Sequence, residues 1–287
     1  MLAIYKKELR SYLTSMIGFV FIAFFLVIVG FYFMAYNLKG GYSSFEYSLN
    51  SLVFVFVLLV PILTMRLIAE EKRQKTDQLL FTSPITIGKL VIGKYLAVLT
   101  IFCSGMLVTA FYPLILSKYG NVDLKLAYAG IFGFTLVGAS YLAIGLFISA
   151  LFESQVISAV VTFVTLLVTF LMNGLVNMIP GDNKTAWFVF GVIALGLCIG
   201  AYFMLRNATV AITLGIILEA LLAIVYFVKP NLYDGTVTKV FHWFSVIDRI
   251  DNFMAGILDL TGIIYYLSIV VIFIFLTVQS LNKRRWR

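Results

Sequence analysis

The chain has 287 residues, of which 62% are hydrophobic and only 12% charged, with 27 Phe, 16 Tyr and a net charge of +8; its mean hydropathy is +1.05. A soluble domain carries about 25% charged residues, so these totals exclude a solvated globule and place the chain in a bilayer. The positive charge, which on a soluble protein would suggest nucleic acid, is accounted for by loops between apolar runs, and no nucleic-acid partner is expected.

Residues 2–13 put Leu2, Ile4, Tyr5, Leu9, Tyr12 and Leu13 near one helical face and Lys6, Lys7 and Arg10 on the other. This pattern predicts a short amphipathic helix on the membrane surface; the alternative is a simple extension of the first span. The apolar run that follows is too long for the core of a signal peptide and has no small-residue cleavage site, so no cleavable leader is expected.

Eight apolar stretches follow, at about 16–36, 50–69, 89–116, 126–152, 156–179, 186–205, 208–228 and 262–281. Each reaches the ~20 residues a helix needs to span a bilayer, and the runs from 89 and from 126 exceed it, which predicts tilt or extension beyond the bilayer. Backbone groups in lipid must pair internally, and no stretch alternates as a barrel strand does, so the spans are helices. With the N-terminus in the cytoplasm, 14 of the 21 basic residues fall on the cytoplasmic side and 7 on the other. That asymmetry favours N-terminus-in, and an even number of spans returns the C-terminus, with its KRRWR tail, to the same side. Cys103 and Cys198 both lie in apolar runs and imply no disulfide.

The connections are short. Gly120-Asn121 and Pro180-Gly181-Asp182-Asn183 read as outer turns, and Arg206-Asn207 closes spans six and seven into a hairpin. Only 229–261 is long. There Val240, Trp243, Phe244, Ile247, Ile250, Phe253, Met254 and Ile257 recur at helical spacing, which predicts one or two amphipathic helices in the outer interface. A loop packed on the ends of the bundle is the alternative. His242, the only histidine, reads as an interface residue beside Trp243 rather than as a metal ligand or base.

No phosphate-binding loop occurs, nor HExxH, CxxC or GxSxG, so no catalytic or metal-ligating residue is assigned. The cytoplasmic loops are too short for a nucleotide-binding domain; if ATP drives this protein, another chain binds it. Three intramembrane polar residues stand out. Glu219 lies mid-span in LGIILEALLAIV, where a charge costs about 2.5–3.5 kcal/mol and calls for protonation or a partner. It reads either as a contact to substrate, proton or accessory subunit, or as a helix–helix hydrogen bond. Asn173 and Asn177, one turn apart, either line a polar seam or join helices.

The longest charged stretch, Glu70–Lys94, sits between spans two and three. Its first part is helix-forming, with Glu71 and Lys75 spaced i,i+4; Ser83-Pro84 breaks the helix, and Thr86 is placed to cap the next. Within Pro61–Ala97, Glu70-Glu71, then Thr76 followed by Leu79-Leu80, then Ser83-Pro84, then Gly93-Lys94-Tyr95 occur in an order that resembles the corresponding region of ABC-2 type transporter permeases. Phe253–Arg287, with Gly256-Ile257-Leu258-Asp259-Leu260, Tyr265-Tyr266-Leu267 and Arg285-Trp286, resembles the gliding-motility (GldF-like) and nitrous-oxide-accessory branch.

The resemblance implies an all-α polytopic transmembrane bundle, with an N-terminal interfacial helix, a cytoplasmic coupling helix and an outer amphipathic segment before the last span. It implies a permease subunit pairing with a second, identical or homologous, permease and with two ABC ATPase subunits that bind ATP and Mg, in a bacterial or archaeal plasma membrane. An extracytoplasmic accessory protein fits the branch. Carried over position by position, Glu70, Glu71, Lys72, Arg73, Lys75, Thr76 and Asp77 are the ATPase-facing surface. The whole chain, 1–287, is then a single membrane domain: core spans in 1–185, an extra hairpin at 186–228 beyond the family's usual six spans, and the outer segment with the last span in 229–287. The competing expectation is an ATPase-independent secondary transporter or intramembrane enzyme using Glu219.

Overall fold

The computed structural model describes residues 1–76, 85–178, 186–191, 194, 213, 215, 218–220, 222 and 235–285, with the backbone alone at 173, 176–178 and 285. All regular structure among them is helical: α1 (Leu2–Thr14), α2 (Met16–Tyr32) continued as a π-helix over Phe33–Lys39, α3 (Glu46–Thr64), α4 (Ala69–Arg73), α5 (Ile87–Thr109), α6 (Tyr112–Leu116), α7 (Leu124–Leu151), α8 (Gln155–Met178), α9 (Thr236–Phe244), α10 (Ile250–Met254) and α11 (Leu260–Arg285). Six helical stretches among the described residues are long and apolar enough to cross a membrane: Met16–Lys39, Glu46–Arg73, Ile87–Leu116, Leu124–Leu151, Gln155–Met172 and Leu260–Arg284. They coincide with the expected spans one to five and eight. The expected spans at 186–205 and 208–228 lie mostly outside the described residues. Two compact units are present, Met1–Phe170 with Arg249–Arg287, and Leu171–Asp248.

In the first unit α7 is the central helix, packing against α11, α3, α10, α5 and α4. Its sequence explains this role, because small residues recur along it where neighbours come close. A Cβ at Gly133 would lie 2.5 Å from Phe253 Cβ, one at Gly138 2.3 Å from the Phe102 ring, and one at Gly145 2.4 Å from Thr64 Oγ1. Between these contacts an aromatic cluster joins α2, α3, α5 and α7: the Phe56 ring lies tilted 4.8 Å from Phe102 and 5.4 Å from Phe134, with Phe25 at 6.2 Å from Phe102. Large apolar side chains remain exposed on α2, α8 and α11, Val27, Val160 and Val271 among them; in a bilayer these faces meet acyl chains.

α1 is a helix in its own right, separated from α2 by Ser15, whose extended backbone (φ −89°, ψ 151°) breaks the run. It packs along α5. Ile4 and Tyr12 are buried, while Lys6, Lys7 and Arg10 are exposed. At the far end of α2, buried Asn37 donates to the carbonyls of Tyr42 (2.8 Å) and Ser44 (3.0 Å) and accepts from Ser48 (2.7 Å). These bonds fix the loop into α3, which turns at Gly41 with φ +70°. Within α3, Pro61 has no N–H to offer the carbonyl one turn back.

The long segment before the last span does contain two helices, and its apolar residues divide. Ile250 and Phe253 of α10 are fully buried against the first unit, as the packed-loop alternative requires, whereas Ile257 and Leu258 are exposed. In the second unit, Trp243 and Phe244 of α9 are exposed. His242 sits against Asp248, which also accepts from Ser245 Oγ (2.7 Å). Asp259 leads into α11, accepting from the Thr261 N–H (2.9 Å) and Asn252 (3.2 Å). Those bonds, the backbone one first, hold its carboxyl below the usual range.

The α7 glycines yield the first prediction. Gly133→Ala places a methyl group against the fixed Cβ of Phe253 and lowers stability by about 1–3 kcal/mol, read as a lower thermal midpoint of the detergent-solubilised protein. Gly174→Ala, at a position with open space around it, leaves the midpoint unchanged or slightly raised.

Candidate coupling site

The charged stretch after α3 folds into an elbow. α3 ends at Thr64, residues 65–68 turn, and α4 runs for only five residues. Its end is closed by a pair of bonds, Thr76 N–H to Glu71 O (3.0 Å) and Lys75 N–H to Lys72 O (3.1 Å). That is the Schellman arrangement, which requires a left-handed residue next to last. Lys75 occupies it with φ +58°, a conformation that costs a side-chain-bearing residue about 1 kcal/mol or more. Closure at this point explains why the helix-forming first part of the charged stretch ends its helix at Arg73. Asp77 itself lies outside the described residues.

Three elements, α1, α5 and α7, hold the elbow, and each contact has a local cause. A short helix leaves its first N–H groups without intrahelical acceptors. Here Ser149 Oγ, near the end of α7, accepts from both Ile68 N–H and Ala69 N–H (3.1 Å each) and donates to Met65 O (3.2 Å). The same end of α7 has unpaired carbonyls and a negative dipole, which favour a cation; buried Lys72 donates to the Ala150 carbonyl. Arg66 pairs with Glu70 at 3.0 Å, one turn on, and lies 5.6 Å over the Tyr12 ring of α1. Tyr12 donates to Leu63 O (3.0 Å), and burial pushes its phenol far up, so it keeps that proton.

The strongest link is Lys94, in the second turn of α5 and 1% exposed. Its ammonium donates to Glu8 Oε1 of α1 (3.0 Å), Leu67 O of the elbow (2.8 Å) and Glu71 Oε1 of α4 (2.8 Å). An ammonium has three N–H bonds, and all three are used. The two carboxylates are largely buried as well, with side chains 13% and 16% exposed. The expected i,i+4 pairing of Glu71 with Lys75 therefore does not form: Glu71 turns inward to Lys94, and Lys75 points out from the left-handed position.

The seven residues carried over as one surface thus separate. Glu71 and Lys72 are turned into the bundle and Glu70 is engaged by Arg66. Arg73 and Lys75 are exposed together with Gln74, and Thr76 is half-buried. On the outward side of α1, Lys6, Lys7, Arg10, Ser11 and Thr14 line a basic cavity of about 480 Å³. The intramembrane candidates do not join the elbow. Glu219 belongs to the second unit, where its carboxylate lies against Gly191, at 3.4 Å from where a Cβ would stand. Asn173 and Asn177 fall on α8, and their side chains lie outside the described residues. Glu8 and Ser149 were not singled out by sequence. Glu8 carried a usable signal, an acid at i,i+4 from both Ile4 and Tyr12 on the buried face of α1; Ser149 is an unremarked serine in an apolar span.

Helical spans joined through a polar elbow define a polytopic helical membrane protein, with none of the described residues forming a metal-binding cluster. The family profile described as ABC-2 family transporter protein matches residues 36–229, more than half of the chain, and the chain belongs to that family. The matched range contains the elbow and also the stretch read as an extra hairpin; Phe253–Arg287 lies beyond it. Among curated proteins none matches the chain.

Breaking the Lys94 hub has a defined cost. Lys94→Met leaves two carboxylates facing each other without their cation, and stability falls by about 3 kcal/mol, the lower end for breaking a buried ion pair. Glu8→Gln and Glu71→Gln added to Lys94→Met restore part of the loss, because the uncompensated charge is gone. Thermal unfolding of wild type and both variants in detergent measures the two steps.

Proposed function

We propose that this chain is the permease subunit of an ABC transporter whose ATP and Mg are bound by separate ATPase subunits, and that those subunits dock on the α4 elbow. The carrying observation is the division of the charged stretch: Glu71 and Lys72 are anchored in the bundle while Arg73, Gln74 and Lys75 face outward. Exposed cations on a loose loop would transmit nothing. Here a push on the exposed residues is borne at once by α1 through Glu8, α5 through Lys94 and α7 through Ser149 and Ala150.

The excess of basic residues around the elbow side supports a cytoplasmic N-terminus in a bacterial or archaeal plasma membrane. The complex is read as two permeases, identical or homologous, with two ATPases, and residues 1–287 as one membrane domain with 186–228 as its added hairpin. The C-terminal resemblance supports the GldF-like branch, in which an extracytoplasmic accessory protein receives the motion or cargo. Glu219, Asn173 and Asn177 are then polar positions along the translocation or helix-contact surfaces.

The double reversal Arg73→Glu/Lys75→Glu tests this. It is expected to reduce co-purification of the cognate ATPase at least tenfold and to make residual binding less salt-sensitive, with membrane insertion and thermal midpoint unchanged. Undiminished co-purification from a folded variant overturns the docking assignment.

A further inference from the structure

At the end of the first unit opposite the elbow, α3 begins with Glu46, which is 8% exposed. Its Oε2 is buried and has no hydrogen-bond partner among the described residues. Leaving a carboxylate oxygen dry and unpaired is costly, and nothing in the packing forces it, since Glu46 lines a cavity of about 220 Å³. Ser44, Tyr47, Asn50, Leu126 and Met254 complete the lining. None of these residues is basic. Asp123, which caps α7 through the Lys125 and Leu126 N–H groups (3.0 and 3.3 Å), adds a second negative field felt by Glu46. The cavity is also built rather than incidental. Asn37 clamps the Ser44 carbonyl, and Gly130 of α7 lets Met254 pack close beside it, since a Cβ there would lie 3.3 Å from Met254 Sδ.

The lining selects among ligands. An anion meets Glu46. A neutral ligand brings no counter-charge to this buried, unpaired carboxyl oxygen. A divalent ion needs about six oxygen ligands and has one lining carboxylate, with Leu126 and Met254 offering none. A primary ammonium on a short carbon stem satisfies every wall: its N–H groups reach the carboxylate, hydroxyl and amide oxygens, and the stem lies on Leu126 and Met254. A second cavity of about 270 Å³, lined by Tyr36, Tyr47, Asn50 and Ser51, shares Tyr47 and Asn50 with the first and gives the remainder of such a ligand room. We propose that the Glu46 cavity is a binding site for a primary alkylammonium group, supplied either by a free amine or by an ethanolamine lipid headgroup. This assignment stands apart from the coupling reading.

The test uses the full chain in nanodiscs of phosphatidylglycerol, titrated calorimetrically with ethanolamine. Saturable binding is expected, with choline, which has no N–H donor, at least tenfold weaker and ethylene glycol inert. Glu46→Gln weakens ethanolamine at least tenfold, the scale of one lost charge-assisted hydrogen bond, and Asn50→Ala weakens it less. Nanodiscs containing phosphatidylethanolamine separate the sources. Loss of ethanolamine binding there, with the lipid retained on wild type but not on Glu46→Gln in native mass spectra, assigns the site to the headgroup; undiminished binding assigns it to free amines. Equal titration of wild type and Glu46→Gln, equal binding of choline and ethanolamine, or no retention of either amine by wild type overturns the proposal. The choline comparison needs no variant and decides the matter even if Glu46→Gln fails to fold.

Discussion

One ammonium group fastens three separate parts of the chain. Lys94 reaches an acid in the N-terminal helix, a carbonyl in the turn after α3 and an acid in α4. Desolvating a lysine is expensive, and two carboxylates with a carbonyl offset it only if all three stay in place. The cost makes the arrangement nearly all-or-none. α1 cannot lift away from α5 without exposing Glu8's partner, and α4 cannot swing without withdrawing Glu71. A polar cluster of this kind adds little net stability over a well-packed apolar one, but it specifies a single relation between elements that hydrophobic contact alone would leave able to slide.

α7 supplies the complementary constraint. Its glycines admit Phe253, Phe102 and Thr64 to distances that any side chain would forbid, so the helix is keyed to α10, α5 and α3 by shape. At its end the same helix turns to polar contact, with Ser149 serving the first amides of the elbow and Ala150 receiving Lys72. Shape fixes the bundle through most of its depth, and hydrogen bonding takes over where the charged segment meets it. The chain's family is ABC-2, and under the function proposed above that junction has a use, since a permease moved by an external motor needs a stiff connection between the surface it is pushed on and the spans that respond.

Much of this was legible in the sequence because lipid imposes strong rules. Apolar length located spans one to five and eight to within a few residues, and the charged stretch was correctly found between spans two and three. The interior of the elbow was not legible. Glu71 and Lys75 at i,i+4 are a sound helical pair, but the pair loses to a buried ammonium 23 positions away in sequence, and no local pattern announces a partner at that distance. Lys94 read as one more positive charge at a span's edge, when it is among the most buried polar residues described. Glu46 was passed over for a related reason: an acid in the first turn of a helix is ordinary, and only the packing of α7 and α10 around it makes it unusual.

The elbow is held by α1, α5 and α7, yet α3 contains a break in its own ladder one turn before it, at Pro61. A missing amide there means the helix can flex at that level without giving up a bond it already has. Firm grip below and compliance just above is the layout of a crank: displacement delivered at the gripped end is converted into a change of angle along the upper length of the same helix, rather than being absorbed where it arrives.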